Sequence, residues 1–225
     1  MSTIYLIAGL AADTRIYDRI DLAGFEVIKV QWLIPDVSDT LSTYAQKIID
    51  QYHINHNSIV IGNSLGGMIA IEIAKQITLE KVILISSIKT IDEAPAYFKL
   101  FRDMPIYNFI PGKIFSSLDF LVELFFGEMD KADIGLFQDM QKKWTPETLK
   151  WAMGAVLHWD NKIIPPNTYH IIGDKDLVFP YKKIKNAIVV EGGTHIMIYD
   201  EAKEINRILK SIFENETSPI VLSEQ

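Results

Sequence analysis

The chain of 225 residues contains no cysteine. Disulfide bonds, thiolate metal sites and a cysteine nucleophile are therefore excluded, and the composition fits a reducing cytosol. The chain also has no surplus of basic residues, as its formal net charge of −7 shows. Proteins that bind nucleic acid usually present a basic face, so we expect no nucleic acid partner.

Long hydrophobic runs are missing as well. No apolar stretch reaches the length of about 18 residues that a helix needs to span a bilayer. The first residues, Met1–Gly9, have no basic region and too short an apolar run for a signal peptide, and they are better explained as a strand. We therefore expect a cytoplasmic protein without a membrane span.

The chain does contain an alternation of strand and helix signals, at a length that is normal for one α/β domain. Helices are predicted after a capping sequence at 39–42, from the residues after Ser64 to about Gln76, and at 201–213. The predicted strands are continuously apolar, which indicates that helices cover both faces of a parallel, doubly wound sheet. These strands are expected at 4–8, 25–31, 58–61, 81–86, 168–172 and 187–190.

The segment from residue 88 to 163 has a different character. It carries no clear strand, and more than half of the aromatic residues of the chain lie in it. We expect a helical cap inserted into an α/β core of residues 1–87 and 164–214, followed by a polar tail at 215–225. The aromatic side chains favour a lid over a site, although packing alone would also explain them. They include Phe98, Phe101, Phe109, Phe115, Phe120, Phe125, Phe126, Phe137, Trp144 and Trp151.

The most informative motif is Gly62-Asn63-Ser64-Leu65-Gly66, which lies between a predicted strand and a predicted helix. A G-x-S-x-G sequence in this context is typical of a nucleophile elbow. Such a turn strains the serine backbone, lifts the hydroxyl out of the sheet and places N–H groups of a helix N-terminus beside it. Side chains at the two glycine positions would collide with the neighbouring strand and helix.

A serine hydroxyl needs a base to take its proton, and a carboxylate usually orients that base. Among the five histidines, His195 follows two glycines directly after the last predicted strand, where its side chain could reach Ser64. The acid is expected after the strand at 168–172. Asp174 and Asp176 are both available there, and residue chemistry alone does not rank them.

The other four histidines are interpreted as structural, although His158 could face the pocket. Because the histidines are scattered and lack ligand spacing, we expect no metal site.

Together these motifs resemble the α/β-hydrolase superfamily, and the resemblance covers most of the chain. The elbow at 62–67, the G-x-x-D-x-x-x-P loop at 173–180 and the G-G-x-H loop at 192–195 follow the order of that family. The resemblance selects Asp176 as the acid of a catalytic triad, and it identifies the insertion with the cap of the family. It also implies a compact member that lacks the first two strands.

The loop after the first strand departs from the family pattern. Relatives commonly carry His-Gly there, whereas this chain has Ala8-Gly9-Leu10-Ala11. The resemblance still implies an oxyanion hole formed by the backbone N–H groups of Leu10 and Leu65, each typically worth about 3–4 kcal/mol in the transition state. The missing histidine leaves open what supports this loop.

These motifs lead us to expect a serine hydrolase that cleaves a small or medium, mostly apolar ester or thioester through an acyl-enzyme on Ser64. Carbon–carbon bond hydrolases, lactonases and perhydrolases of the superfamily use the same triad, and the fold does not select among them. A ligand-binding protein with negligible turnover is an alternative of another class. We expect a small-molecule substrate and no cofactor, and the sequence does not determine the oligomeric state.

Overall fold

The computed structural model of the chain describes residues 2–104 and 131–215. Within them, six strands form one parallel sheet in the order β2-β1-β3-β4-β5-β6. The predicted strands are confirmed, and their bounds differ from the prediction by no more than two residues. The strands are β1 (Thr3–Ile7), β2 (Glu26–Lys29), β3 (Ser58–Asn63), β4 (Lys81–Ile85), β5 (Thr168–Gly173) and β6 (Ile188–Val190).

Helices connect most of these strands. The predicted helices after residue 39, after Ser64 and at 201–213 are confirmed, while the short helix before the last of them was not predicted. Four residues are too few to give a recognisable helical period. The α-helices are α1 (Leu41–Tyr52), α2 (Leu65–Gln76), α3 (Ala96–Asp103), α4 (Lys131–Gln141), α5 (Pro146–Leu157), α6 (Met197–Asp200) and α7 (Ala202–Phe213).

Alternate residues of the strands face opposite sides of the sheet and divide the core in two. On one side, residues such as Val60 and Val82 pack in a cluster with α1, α2 and α5. On the other side, residues such as Ile59 and Ile83 pack with α6, α7 and the 3₁₀ turn at Thr14–Tyr17. Both faces are covered, which is the doubly wound arrangement that the continuously apolar strands predict.

The strand order gives the sheet a topological switch point at its carboxyl edge. β1 and β3 are neighbours, with Ile7 paired to Gly62, but the chain leaves β1 towards β2 and leaves β3 towards β4. Ligands of open α/β sheets bind at such divergences, outside the carboxyl ends of the strands.

The segment at 88–163 lies between β4 and β5. In its described parts, 88–104 and 131–163, α3, α4 and α5 occur and no strand is present. Phe109, Phe115, Phe120, Phe125 and Phe126 lie outside the described residues, as does the tail from residue 216. The division into core and cap, and the lid, stay predictions. Within 2–104 and 131–215 no helix is long and apolar enough to cross a membrane.

Candidate active site

Ser64 forms the turn between β3 and α2. Its φ is 52° and its ψ is −120°, a conformation that costs a residue with a side chain about 1–3 kcal/mol. The backbone around it holds the turn, because Ser64 N donates to Ile85 O at 3.0 Å and Gly67 N donates to Ser64 O at 2.9 Å. The strand, the strained serine and the helix thus occur in the order that the elbow motif predicts.

Close backbone approach explains the two glycines of the motif. A Cβ atom on Gly62 would lie 2.2 Å from Gly66 O, and one on Gly66 would lie 2.2 Å from Ile7 O. The same approach brings the loop after β1 against the serine. A Cβ atom on Gly9 would lie 3.1 Å from Cβ of Ser64.

Three side chains from separate loops meet at this edge of the sheet. His195, which follows β6, has its Nε2 3.0 Å from Ser64 Oγ. Its Nδ1 lies 2.9 Å from Oδ2 and 3.1 Å from Oδ1 of Asp176, which follows β5. Asp176 and His195 are 4% and 7% exposed, so little water competes for these bonds. The structure therefore brings together the three residues that the sequence analysis named as nucleophile, base and acid.

The Asp176 carboxylate is fixed by its own loop. Oδ1 accepts hydrogen bonds from Val178 N and Phe179 N, both at 2.8 Å, and the Phe179 ring packs on the edge of His195 with 5.6 Å between centroids. Since both carboxylate oxygens accept, the network assigns the imidazole proton to Nδ1 and leaves Nε2 to accept from Ser64.

Asp174 has a different role. Its Oδ1 accepts from Gly192 N at 2.7 Å, and its own N–H donates to Val190 O at 3.1 Å. Among the described residues it makes no hydrogen bond to His195. Asp174 thus joins the acid loop to the histidine loop through the backbone.

The predicted oxyanion hole uses two backbone N–H groups, those of Leu65 and Leu10, which directly follow Ser64 and Gly9 in the sequence. Leu65 is the first residue of α2, and the N–H groups of a first helical turn have no partner within the helix. Leu10 follows Gly9, which contacts the serine. Within 2–104 and 131–215 neither N–H donates a hydrogen bond, so both are free to donate to a ligand oxygen. Their use as an oxyanion hole stays a prediction.

The remaining histidines lie away from this arrangement. His158 caps the end of α5, its Nδ1 is 2.8 Å from Gly154 O, and it borders a surface groove that does not include Ser64. His53 and His56 are exposed near the end of α1, and His170 is buried in β5.

Comparison with known proteins assigns the chain to a family. The model of the Alpha/beta hydrolase family matches residues 3–208. The chain belongs to the Alpha/beta hydrolase family.

Solved structures show the same fold for this alpha/beta hydrolase. The esterase EaEST from Exiguobacterium antarcticum is 16% identical with a TM-score of 0.72, over 94% of this chain and 91% of that one. The enol-lactonase from Burkholderia xenovorans LB400 is 16% identical with a TM-score of 0.72, over 95% and 91%. MenH from S. aureus is 16% identical with a TM-score of 0.71, over 96% and 94%. At such identities the likeness concerns the fold alone. No curated protein matches the sequence.

The elbow of this alpha/beta hydrolase rests on a buried polar chain that the sequence analysis did not find. Ser87 Oγ donates to Ser64 O at 2.7 Å, and Ser87 O lies 3.0 Å from Nε2 of His170. Nδ1 of His170 lies 2.9 Å from Lys89 Nζ, which in turn pairs with Glu93 at 2.6 Å. Each polar group of this chain has the next one as a partner, so no charged side chain in it is buried without a partner. The only signal in the sequence was a histidine within an apolar strand.

Burial and the neighbouring Lys89 charge lower the pKa of His170 well below its usual range. The folded protein therefore keeps this imidazole neutral at a pH where the unfolded chain, with a histidine pKa of about 6.5, is protonated. Stability from such a depressed pKa is fully present above about pH 6.5 and is lost as the pH falls.

We expect the free energy of unfolding of the wild type to decrease more steeply than that of His170→Gln as the pH is lowered from about 7 to about 5. The difference in slope should reach up to about 1.4 kcal/mol per pH unit, although His170→Gln is less stable at neutral pH. His56→Gln, which changes an exposed histidine far from the elbow, is the control for the substitution itself. Urea unfolding across this pH range measures all three. Equal slopes for wild type and His170→Gln would contradict the neutral state of His170.

Proposed function

We propose that this alpha/beta hydrolase is a serine hydrolase that cleaves a small or medium, mostly apolar ester or thioester. The observation that carries the proposal is the hydrogen-bonded chain from Ser64 Oγ through His195 to Asp176, with 3.0 Å at the serine and 2.9 Å at the acid. A serine at a strained elbow with a base and an oriented carboxylate is the arrangement that activates a hydroxyl as nucleophile.

The reaction follows from these contacts. Ser64 Oγ attacks the carbonyl carbon while His195 Nε2 takes the hydroxyl proton, and Asp176 stabilises the resulting imidazolium. The N–H groups of Leu65 and Leu10 hold the negative oxygen of the tetrahedral intermediate. His195 then gives its proton to the leaving alcohol or thiol, and an acyl-enzyme remains. Water activated by His195 releases the acid and restores Ser64, so the cycle requires no cofactor.

Apolar side chains beside the acid loop support an apolar substrate. Phe98 of α3 packs edge-on against Phe179, next to His195, with 6.1 Å between the ring centroids. Tyr97 of the same helix donates to Val178 O at 2.7 Å, which holds α3 against this loop. Leu177 follows the acid directly and is 67% exposed. Among the described residues, these apolar side chains favour an apolar acyl group on this side.

The likeness to an enol-lactonase agrees with the proposal without changing it, because a lactone is a cyclic ester and opens by the same steps. A ligand-binding protein without turnover would have no need of the short Ser64–His195 contact. A small-molecule substrate is accordingly part of the proposal.

Hydrolysis of p-nitrophenyl esters of increasing acyl length tests the mechanism. We expect the wild type to be active, and Ser64→Ala and His195→Ala to lower kcat by about 10⁴- to 10⁶-fold, because either change removes the activated nucleophile. His158→Ala, which changes an exposed histidine outside the site, should retain wild-type kcat. Full activity in Ser64→Ala would refute the mechanism, and the acyl-length profile would give the size of the pocket.

The two aspartates of the acid loop provide a second test. Asp176→Asn should lower kcat by about 10⁴-fold with little change in KM, because the amide disturbs the tautomer of His195. Asp174→Asn is chemically matched but affects only the bond to Gly192 N, so it should keep most of the activity. Steady-state kinetics with one ester substrate compares them. A larger loss in Asp174→Asn than in Asp176→Asn would show that the acid is assigned wrongly.

A further inference from the structure

The loop after β1 is held by two tryptophans on a single carbonyl group. Ala12 O accepts a hydrogen bond from Nε1 of Trp32 at 3.1 Å and another from Nε1 of Trp144 at 3.3 Å. A carbonyl oxygen has two lone pairs, so the indoles occupy its full capacity as an acceptor. Ala12 and Trp144 are 6% and 9% exposed, and water does not readily replace a bond lost here.

The residues before this carbonyl form a tight turn. Ala12 N donates to Gly9 O at 3.2 Å, and Ala11 between them has a φ of 59°, a left-handed conformation that alanine rarely adopts. Gly9 O belongs to the same planar peptide as Leu10 N–H, and in a trans peptide the two groups point in opposite directions. The turn bond that orients Gly9 O therefore also orients the N–H of Leu10.

Ion pairs hold the next residue of the loop, Asp13, in place. The Asp13 carboxylate lies 2.8 Å from Nη2 of Arg15 and 2.8 Å from Nζ of Lys143, and Arg15 also reaches Asp139 at 2.8 Å. Burial favours the neutral acid, but hydrogen bonds from Arg15 and Lys143 outweigh it and lower the pKa of Asp13 to about 2. Lys143 and Trp144 are adjacent, so one short stretch of the inserted segment binds the loop through both charge and an indole.

We propose that Trp32 and Trp144 are positioning residues for the oxyanion donor at Leu10. They hold Ala12 O, Ala12 closes the turn on Gly9, and that turn directs the Leu10 N–H beside Ser64. The inference rests on the proposed serine mechanism. It also answers what supports the loop in a chain that has Ala8 where relatives commonly carry histidine.

The two indoles come from different parts of the fold. Trp32 follows β2 in the core, whereas Trp144 lies between α4 and α5 of the inserted segment, and their rings meet edge-on with 4.8 Å between centroids. The oxyanion donor is therefore complete only while this part of the inserted segment is docked on the core. Its docking affects the chemical step, and not only access to the site.

Replacing each indole by phenylalanine tests the proposal, since it keeps an aromatic ring and removes the N–H donor. The matched control is Trp151→Phe. Trp151 lies in α5 of the same segment, packs on Tyr44 and donates Nε1 to Asp39 O at 2.9 Å, but among the described residues it makes no hydrogen bond to the loop. All variants are measured for kcat and KM with one p-nitrophenyl ester, for affinity to a boronic acid that forms a tetrahedral adduct, and for urea unfolding.

We expect Trp144→Phe and Trp32→Phe each to lower kcat by about 10- to 100-fold with KM nearly unchanged, because a displaced donor weakens binding of the transition state. Boronic acid affinity should fall by a similar factor. Trp151→Phe should leave kcat and boronic acid affinity near the wild-type values even if stability falls equally. If Trp144→Phe does not fold, Trp32→Phe tests the proposal by itself.

The proposal is overturned if the wild type shows Ser64-dependent turnover but the loop variants lose no more kcat than Trp151→Phe. It is also overturned if they raise KM while kcat and boronic acid affinity stay unchanged. A wild type without Ser64-dependent turnover on esters or thioesters would instead contradict the proposed function itself, and the positioning role would fall with it.

Discussion

The first turn of α2 lies in direct backbone contact with the end of β1, and the geometry of the site depends on that contact. Position 66 tolerates no side chain because a Cβ atom there would lie 2.2 Å from Ile7 O. The contact forces the chain through the strained turn at Ser64, and it brings Gly9, the residue before Leu10, up to the serine. The nucleophile and the predicted oxyanion donor are thus brought together by one steric constraint, before any side chain of the site is considered.

The segment at 88–163 supports this geometry from two sides. At its start, Lys89 belongs to the buried polar chain that reaches the elbow through His170 and Ser87. Further along, Trp144 donates to the loop after β1. In a low-dielectric interior such fully satisfied networks are strong, and losing one member leaves the others unpaired. The segment therefore contributes to the architecture of the site, while its function as a lid stays a prediction.

The parts that sequence could predict are those encoded locally. The elbow, the acid loop and the histidine loop are short motifs, and the strands are continuous apolar runs. The fold, and the proximity of Ser64, Asp176 and His195, could therefore be predicted from the sequence. Spacing alone did not distinguish Asp174 from Asp176, because the two differ in the backbone N–H groups from which each carboxylate accepts hydrogen bonds. The Trp144–Ala12 bond joins residues 132 positions apart. A contact between residues so far apart in the chain cannot be predicted from one sequence. The side chains that select a substrate cannot be predicted from it either.

The central claim is that Ser64 is an activated nucleophile, and covalent labelling with a fluorophosphonate tests it most directly. Intact-mass spectrometry followed by peptide mapping should find one adduct per chain, located on Ser64. The adduct should be absent in Ser64→Ala and form far more slowly in His195→Ala. A folded wild-type protein that takes up no label, or takes it up on another residue, would contradict the account.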